Sequence, residues 1–391
     1  MDNILSLPVS EMVNLSFECT CGRSHSVDIR SIIVDQDITK EAVSLALKYK
    51  TGRIFVIADN NTYSVKGRRI WEALKKEGLP VGGHIFESLH PLVPDERAVG
   101  RLVTEIGRDV SLIVAVGSGT VNDLARIISF KLGIPYLIAA TAPSMDGYAS
   151  TVSPLIIDGF KKTYEAVYPV SILCDLKAMR NAPWEMICAG FGDILGKYTA
   201  LADWKLSKDV NNEYYCETGV SLVKNAMDKC MGNIDGIAER DESSIRYMIE
   251  ALILSGIAMG LVGSSRPASG AEHHLAHYWE MNALARGEEH PLHGNSVGVG
   301  TVIVSYLYEM VKDKADFEID SPDPEEIRGL LKRIGACDNP FELGIKKEVF
   351  TESIIHAMEI RPRYTVFHLA KRLGILEDAA LRLTQKFYGA D

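Results

Sequence analysis

The sequence predicts a two-part protein, in which an N-terminal α/β domain built on a parallel sheet precedes an all-α C-terminal domain. Up to about Asp175, short β-branched runs alternate with helical segments, and after it apolar residues recur at 3- and 4-residue spacing. The chain is long enough for two domains, with 391 residues of which 47% are hydrophobic. We therefore expect an N-terminal domain over residues 1–175 and a helical domain over residues 176–391.

The N-terminal elements predict a doubly wound sheet, because each strand is followed by a helix that returns the chain to a parallel neighbour. The predicted strands span residues 53–59, 83–87, 112–116 and 134–140. The predicted helices between them span residues 66–77, a segment opened by Pro94, and residues 121–132.

The C-terminal half carries few strand signals and is predicted to be all-helical. Its helical segments are residues 184–206, 214–231, 243–261, 272–284, 296–311, 324–334, 346–358 and 364–387.

Charge and composition exclude several classes of protein. Forty-two basic and fifty-two acidic side chains leave a net charge of −10, which argues against a nucleic-acid partner. Seven cysteines are too sparse for a disulfide framework, so reduced thiols are expected. The N-terminus lacks a signal-peptide pattern, and the longest uncharged stretch, residues 251–264, is shorter than the roughly 20 residues of a membrane span. We expect a cytoplasmic protein with no membrane span.

A glycine-containing turn follows the third predicted strand. Gly117, Ser118, Gly119 and Thr120 lead directly into a helix, whose N-terminal N–H groups can hold a phosphate or pyrophosphate. The turn is neither a Walker loop nor a full dinucleotide fingerprint, because Asn122 stands in the place of a third glycine. An ordinary tight strand-to-helix connection would also explain it.

Two further strand ends support a nucleotide site. Asp59 ends the first predicted strand, where its carboxylate can accept hydrogen bonds from a ribose, and a small polar loop over residues 141–150 follows the fourth. Ligands of open parallel sheets collect at the carboxyl ends of neighbouring strands. Together the three strand ends favour a nucleotide more than any one of them does.

Five of the ten histidines lie between His273 and His293. Ser269 and Glu272 fit a capping box, which predicts a helix start with Ser269 as N-cap. His273 and His277 then share one helical face, and His293 lies in a loop before another helix.

Asp193 is the carboxylate that we expect beside these histidines. Its neighbours are small and apolar, so its charge must be neutralised, by a metal ion or by Lys197 one turn later. Two imidazoles and a carboxylate form a three-ligand metal site with an open position for substrate. The alternative is that the histidines are structural.

A second possible metal site lies near the N-terminus. Cys19, Cys21 and His25 are three potential zinc ligands with no evident fourth, so we interpret this segment as a turn.

Several motifs resemble one known family, the sn-glycerol-1-phosphate dehydrogenases, most closely their bacterial branch. They are Gly-Ser-Gly-Thr-Val-Asn-Asp at residues 117–123, Thr-Ala-Pro-Ser-Met-Asp at 141–146, Ser-Gly-Ala-Glu-His-His-Leu-Ala-His at 269–277, Pro-Leu-His-Gly at 291–294, and the Cys-x-Cys-Gly-x-x-His start. The family lies within the larger group of glycerol dehydrogenases and iron-containing alcohol dehydrogenases. The resemblance implies a Rossmann-like domain followed by a helical domain, the dehydroquinate synthase-like architecture, with one divalent metal ion between them.

The resemblance also implies roles for individual residues. Asp193, His273 and His293 would bind the metal, and Asp146, His277 and Asp193 would lie at the reacting substrate. NAD or NADP would be bound by Asp59, Gly117, Ser118, Gly119, Thr120, Val121, Thr141, Ala142, Pro143, Ser144 and Ser150.

The implied reaction is the reversible reduction of dihydroxyacetone phosphate by NAD(P)H to sn-glycerol 1-phosphate. Alternatives are a glycerol or other polyol dehydrogenase, a lyase like dehydroquinate synthase, and a non-enzymatic interaction protein. Asp59 would repel a ribose 2′-phosphate and so favours NAD, whereas zinc, nickel and iron(II) all suit the ligand set. Lys161, Lys162 and Arg266 are available to bind a substrate phosphate. The family also implies a homodimer or larger homo-oligomer.

Overall fold

The structure, a computed structural model, describes residues 4–87 and 91–389. The strands in these residues are β1 (Leu15–Glu18), β2 (Ser24–Val27), β3 (Ser31–Asp35), β4 (Arg53–Asp59), β5 (Val81–Phe86), β6 (Val110–Gly117), β7 (Tyr136–Ala140), β8 (Val152–Ile157), β9 (Phe160–Glu165) and β10 (Ser171–Asp175). The helices that accompany the strands are α1 (Thr39–Ala46), α2 (Asn60–Thr62), α3 (Arg68–Lys76), α4 (Glu96–Glu105) and α5 (Gly119–Leu132).

Six strands form one parallel sheet in the order β3-β10-β7-β6-β4-β5. All four predicted strands belong to it, which confirms the predicted α/β class with a doubly wound sheet. β3 and β10 were not predicted, because each has only three consecutive apolar residues between a serine and an aspartate, a run too short to indicate a strand. Hydrophobic side chains fill both faces of the sheet, one against the helical half and one against α1 and α3.

Two antiparallel hairpins, β1–β2 and β8–β9, were not predicted. Asp158 and Gly159 both have positive φ and form the turn of the second hairpin. The Asp-Gly pair is a recognisable sequence signal for such a turn, so this hairpin could have been found.

After β10 the described chain is helical. The helices are α6 (Leu176–Arg180), α7 (Trp184–Leu195), α8 (Lys197–Asn211), α9 (Glu217–Met231), α10 (Ile234–Ala238), α11 (Glu242–Val262), α12 (Ala271–Ala285), α13 (His293–Lys312), α14 (Pro324–Arg333), α15 (Lys347–His356), α16 (Val366–Arg372) and α17 (Leu376–Tyr388). This confirms the predicted helical half.

Several predicted helix boundaries were wrong. The helix over 184–206 is two helices that meet at Gly196, and the helix over 364–387 is divided between α16 and α17. The helix predicted over 66–77 begins earlier, at Asn60, because α2 continues through a π-helical stretch, Tyr63–Gly67, into α3. The Asp59 carboxylate accepts the Thr62 N–H and caps this start. Pro94 precedes the N-cap residue Asp95 instead of lying in the first turn.

Helix α11 is long and apolar enough, by length and composition, to cross a membrane. In the structure 67% of its most apolar window is buried inside the protein, and Leu252, Ile253 and Ile257 are fully buried. A helix that is apolar on all sides and covered by its neighbours is typical of a protein core. We interpret α11 as a core helix.

Candidate active site

The predicted nucleotide residues lie at the carboxyl ends of three adjacent strands. Asp59 ends β4, Gly117 ends β6 beside it, and Thr141 follows β7 on the other side of β6. The Thr141 N–H donates to the Gly117 carbonyl at 3.1 Å, which ties two of the three strand ends together. The geometry therefore brings the three strand ends together as expected.

The two glycines of the turn differ in what the protein requires of them. A Cβ on Gly117 would lie 2.6 Å from Cβ of Val121, which is too close for any side chain. A Cβ on Gly119, the first residue of α5, would meet only Met145, at an ordinary 3.5 Å. Packing explains Gly117 but not Gly119, and the open space over Gly119 is what close approach of a ligand to the N-terminus of α5 requires.

The remaining predicted nucleotide residues take different positions. Residues 141–143 are buried beneath the sheet edge and Ser144 is partly exposed. The Ser150 hydroxyl is engaged with the backbone of Val152, at 3.1 Å from its N–H and 3.3 Å from its carbonyl. Asn122 is buried and its side-chain amide donates to the Gly147 carbonyl at 3.2 Å, so it fastens the loop over residues 141–150 to α5.

Close packing of α7 on α13 brings Asp193 and His293 together. A Cβ on Gly192 would lie 2.3 Å from the Gly294 carbonyl oxygen, and one on Gly294 would lie 1.9 Å from the Ala189 carbonyl oxygen. Only glycine at both positions lets the two backbones come this near. Asp193 follows the first glycine and His293 precedes the second, so the contact sets their separation.

Asp193, His273 and His293 converge with potential ligand atoms all within 4.8 Å of one another. Oδ1 of Asp193 lies 3.6 Å from Nε2 of His273, and the two imidazole centroids are 5.2 Å apart. The three residues come from α7, α12 and the first residue of α13. The predicted trio is therefore brought together from three separate helices.

His273 and His293 each have a carboxylate within hydrogen-bonding distance of ring nitrogen Nδ1. Nδ1 of His273 lies 2.8 Å from Oε1 of Glu272, and Nδ1 of His293 lies 3.0 Å from Oε1 of Glu280. A carboxylate accepts, so each Nδ1 carries the proton and each Nε2 keeps a lone pair for the site. This arrangement orients imidazole ligands in metal sites, and the donor set therefore fits a divalent ion.

The predicted capping box at Ser269 was wrong. Gly270 is the N-cap of α12, and Ser269 lies one residue outside it. Glu272 does reach back, since its Oε1 accepts the Gly270 N–H at 2.6 Å, but the same oxygen also accepts from His273. Its other oxygen accepts from the Thr199 hydroxyl at 2.7 Å, so Glu272 is a buried support for His273.

Lys197 neutralises the charge of Asp193, which is one of the two possibilities that the sequence left open. Its Nζ lies 2.8 Å from Oδ1 of Asp193 and 2.7 Å from Oδ2 of Asp146. Burial acts to raise the pKa of Asp193, but the Lys197 ammonium outweighs it and holds that pKa below its ordinary value. The Asp146 N–H also donates to Oδ2 of Asp193 at 2.9 Å, which joins the loop after β7 to the carboxylate of the trio.

His277 lies beside the trio but makes different contacts. Its ring stacks on that of His293, with centroids 5.1 Å apart and planes 23° apart. Its Nδ1 is 3.1 Å from Oε2 of Glu280, and its Nε2 is 2.9 Å from the Arg361 guanidinium. Because a guanidinium only donates, Nε2 accepts and the proton is on Nδ1. Burial lowers the pKa of His277 well below its usual value, which keeps the ring neutral.

A second trio, His277, Glu280 and His293, also has its donor atoms within 4.8 Å of one another. The Glu280 carboxylate is already occupied, because it accepts from both imidazoles and pairs with Lys161 at 2.6 Å. The Asp193 trio is therefore the better metal site.

The chain is similar to several known proteins. A family model for iron-containing alcohol dehydrogenases matches residues 33–183. Glycerol-1-phosphate dehydrogenase [NAD(P)+] of Halalkalibacterium halodurans is 36% identical over 90% of this chain and 94% of its own length. The protein of the same name from Geobacillus thermodenitrificans is 34% identical over 94% of this chain and 99% of its own. This chain belongs to the glycerol-1-phosphate dehydrogenase family.

Solved structures confirm the predicted architecture of this glycerol-1-phosphate dehydrogenase family member. The iron-containing alcohol dehydrogenase of Thermococcus thioreducens superposes with a TM-score of 0.70, at 14% identity, over 92% of this chain and 99% of its own. At that identity the likeness establishes the fold, a parallel-sheet domain followed by a helical region.

Three residues of the candidate site of this glycerol-1-phosphate dehydrogenase family member were not predicted as such. Glu280 and Arg361 were not considered, and Glu272 was assigned only to a helix cap. Glu280 could have been found, since it lies three residues after His277 on the same helical face. Arg361 reaches the site from 84 residues away in the chain, and no local pattern indicates it.

Of the three cationic side chains that the sequence offered for binding a substrate phosphate, only Lys161 reaches the candidate site. Lys161 reaches the site through Glu280, whereas Arg266 is buried in an ion pair with Glu213. Lys162 is exposed on β9, its side chain on the solvent side of the hairpin.

Proposed function

We propose that this protein catalyses the NAD(P)H-linked, metal-dependent and reversible reduction of dihydroxyacetone phosphate to sn-glycerol 1-phosphate. One observation carries the proposal. The loop that follows β7 and closes the proposed nucleotide site donates its Asp146 N–H to Asp193, the carboxylate of the proposed metal trio. Cofactor and metal would therefore meet at one point of the protein, as hydride transfer to a polarised carbonyl requires.

Asp193, His273 and His293 would hold the metal, and residues 117–121, 141–144, Asp59 and Ser150 would hold the cofactor. When bound, a divalent ion supplies Lewis-acid polarisation of the carbonyl oxygen and the nicotinamide supplies the hydride. The contribution of the protein is orientation. Glu272 and Glu280 hold the two imidazoles in the required tautomer, and Lys197 keeps the Asp193 carboxylate ionised in a buried position.

His277 is the residue that we propose as proton acceptor in the direction of alcohol oxidation. Its Nε2 is a neutral acceptor that faces Arg361, and its Nδ1–H is anchored on Glu280. A substrate hydroxyl in the place of the guanidinium donor would find a base already in the correct tautomer. Asp146, held by Lys197 and by the Ser255 hydroxyl at 2.8 Å, would position the substrate from the other side.

The charge of the site supports a phosphorylated substrate. Four carboxyl groups (Asp146, Asp193, Glu272 and Glu280) meet three cationic groups (Lys161, Lys197 and Arg361). A bound dication would make this region positive overall, which suits a dianionic phosphate better than a neutral polyol. Arg361 is the group that we propose to bind it, because it has a planar donor fork beside His277 and no carboxylate partner among the contacts described.

We propose NAD rather than NADP as the preferred cofactor. Asp59 ends β4 with one carboxylate oxygen accepting from Thr62, and its charge opposes a ribose 2′-phosphate at this strand end. A homodimer or larger oligomer and a cytoplasmic location also stay predictions; size-exclusion chromatography with light scattering tests the first.

The deciding experiment is an NADH-oxidation assay after chelation and separate re-addition of zinc, nickel and iron(II). We expect turnover with dihydroxyacetone phosphate, little with dihydroxyacetone, restoration by metal, and sn-glycerol 1-phosphate as the product in chiral analysis. Preference for the unphosphorylated ketone would replace this function by that of a polyol dehydrogenase. Turnover of substrate without net NADH consumption would indicate lyase chemistry.

A further inference from the structure

A second cluster of metal-binding side chains lies outside the proposed active site. Cys19, Cys21, His25 and Cys216 place three sulfurs and one imidazole nitrogen within 4.8 Å of one another. The first three lie close together in the sequence and were interpreted as a turn, because no fourth ligand is evident near them. The fold supplies it in Cys216, which lies 191 residues beyond His25 in the chain.

The distances match a tetrahedral site. Cys19 Sγ lies 3.9 Å from Cys216 Sγ, and His25 Nε2 lies 3.2 Å from Cys21 Sγ and 3.4 Å from Cys216 Sγ. For a zinc–sulfur bond of about 2.3 Å, tetrahedral ligands lie about 3.8 Å apart. Three of the four residues are buried, with His25 2% and Cys216 1% exposed, so the donors face one another rather than water.

The backbone around the cluster is shaped to present these ligands. Residues 19–22 form a tight turn in which the Gly22 N–H donates to the Cys19 carbonyl at 3.0 Å, and Gly22 has a φ of +82°. The turn joins β1 to β2 and points both of its cysteines to one side, toward His25 in β2. Cys216 is the N-cap of α9, and its sulfur accepts the Gly219 N–H at 3.4 Å.

Hydroxyl groups surround the sulfurs as they do in thiolate–metal sites. The Thr218 hydroxyl lies 3.3 Å from Cys19 Sγ, and the Tyr214 hydroxyl lies 3.1 Å from Cys21 Sγ. Both can donate to a thiolate, and such outer hydrogen bonds stabilise its negative charge. The Arg23 guanidinium lies over the Tyr214 ring, 3.4 Å from its centroid, and adds positive charge beside the cluster.

We propose that Cys19, Cys21, His25 and Cys216 bind one structural zinc ion that fastens the N-terminal hairpin β1–β2 to the helical half at the start of α9. Three thiolates and one imidazole fill all four positions of a tetrahedral zinc ion, so no position is open for a substrate. The site shares no residue with the Asp193 trio, and it does not depend on the proposed enzymatic function.

A disulfide is the chemical alternative. The Cys19 and Cys216 sulfurs are the pair that it would join, and it would leave Cys21 and His25 facing each other without a common partner. If Cys19 and Cys216 formed a disulfide, the protein would hold no metal at this cluster. It would also have two fewer titratable thiols.

The test separates this ion from the one in the active site. His273→Ala removes an imidazole from the Asp193 trio, so zinc that stays bound after dialysis reports on the cysteine cluster. We expect about one zinc per chain in this variant, with X-ray absorption showing sulfur at about 2.3 Å as the main scatterer. A thiol-specific mercurial should release the zinc in step with the modification of three cysteines.

A matched pair of variants locates the site. Cys216→Ala should lose that zinc and melt at a lower temperature, whereas Cys230→Ala, which removes a sulfur buried further along α9, should keep it. If Cys216→Ala does not fold, the X-ray absorption of the His273→Ala protein decides alone. Folded His273→Ala protein without sulfur-bound zinc, or a Cys19–Cys216 disulfide in protein purified anaerobically, would overturn the proposal.

Discussion

At the scale of single residues, the proposed metal site predicts different effects for Asp193 and Glu272. Asp193 would bind the metal directly, whereas Glu272 only orients His273, 2.8 Å from its Nδ1. Removing an outer carboxylate of this kind typically costs about 10- to 100-fold in metal affinity. We expect Glu272→Gln to weaken binding by that amount and Asp193→Asn by more, measured by titrating Ni²⁺ against a competing chelator. Glu289→Gln, on an exposed loop, is the control. Equal affinity in all three variants would contradict the assignment of the trio.

Arg361 offers a residue-scale test of the substrate. Losing a hydrogen bond to a charged group costs about 1.5–3 kcal/mol, so Arg361→Gln should raise KM for dihydroxyacetone phosphate roughly 10- to 100-fold. KM for unphosphorylated dihydroxyacetone should change little, because it has no phosphate to lose. Steady-state kinetics on both substrates measures the difference, with the exposed Arg372→Gln as control. An equal loss with both substrates would assign Arg361 to His277 instead of to the phosphate.

The most predictable residues of the site were those whose own sequence neighbours carry a helical pattern. Spacing alone placed His273 and His277 on one face, and the apolar neighbours of Asp193 marked it as a charge in need of a partner. Arg361 and Cys216 could not be found in this way, because each reaches its cluster through tertiary packing from a distant part of the chain. Pairing across such distances depends on the fold and leaves no local signal.

At the scale of elements, the two glycines of the turn between β6 and α5 have different roles: Gly117 is needed for packing, and Gly119 is proposed to be needed for binding the cofactor. Gly117→Ala would force a Cβ within 2.6 Å of Val121, and overpacking of this kind costs about 1–3 kcal/mol. We expect that variant to melt at a lower temperature. Gly119→Ala has room in the protein, so it should keep the melting temperature of the parent but bind NADH about tenfold more weakly, through loss of a close N–H contact to phosphate.

Calorimetry and NADH fluorescence titration on both variants measure the two effects. If Gly119→Ala bound NADH like the parent, the phosphate would lie elsewhere along the sheet edge.

Periodicity predicted these elements better than it predicted their ends. Alternating strand and helix patterns identified β4, β5, β6 and β7. Strand β10 was missed because its three apolar residues between Ser171 and Asp175 look like any short apolar run. Helix ends were displaced where a cap decided them. Asp59 starts α2 six residues before the apolar pattern begins, and Gly270 replaces Ser269 at the start of α12.

At the scale of the whole molecule, the Asp203 carboxylate joins four helices. It lies in α8, accepts from the Tyr308 hydroxyl of α13 at 2.6 Å, and accepts the Ala271 and Val366 N–H groups at the starts of α12 and α16, at 2.6 and 2.7 Å. Burial, together with the nearby Glu272 carboxylate, raises the pKa of Asp203 to about 7. One buried acid in the helical half therefore makes the stability of that half depend on pH.

The sign follows from linkage. Between the unfolded pKa of about 4 and the folded pKa, the folded state holds a proton on Asp203 that the unfolded state has released. The free energy of unfolding therefore falls as pH rises through this window, by at most about 1.4 kcal/mol per pH unit, and the contribution is complete only below the unfolded pKa. Tyr308 can accommodate both states, because its hydroxyl donates to the carboxylate and can accept from the protonated acid.

Asp203→Asn removes the titration and keeps the shape. Asparagine can still accept from Tyr308 and Val366, but its NH₂ opposes the Ala271 N–H, so the variant should be less stable by about 1–3 kcal/mol where Asp203 is protonated. Its deficit in melting temperature relative to the parent should be largest at pH 5 and should narrow by pH 8, as the parent loses the contribution of its proton. Calorimetry at intervals between these values measures it, with Asp209→Asn on the exposed side of α8 as control. A deficit that stays constant across this range would mean that Asp203 is ionised throughout and that its three donors, rather than a bound proton, hold the four helices together.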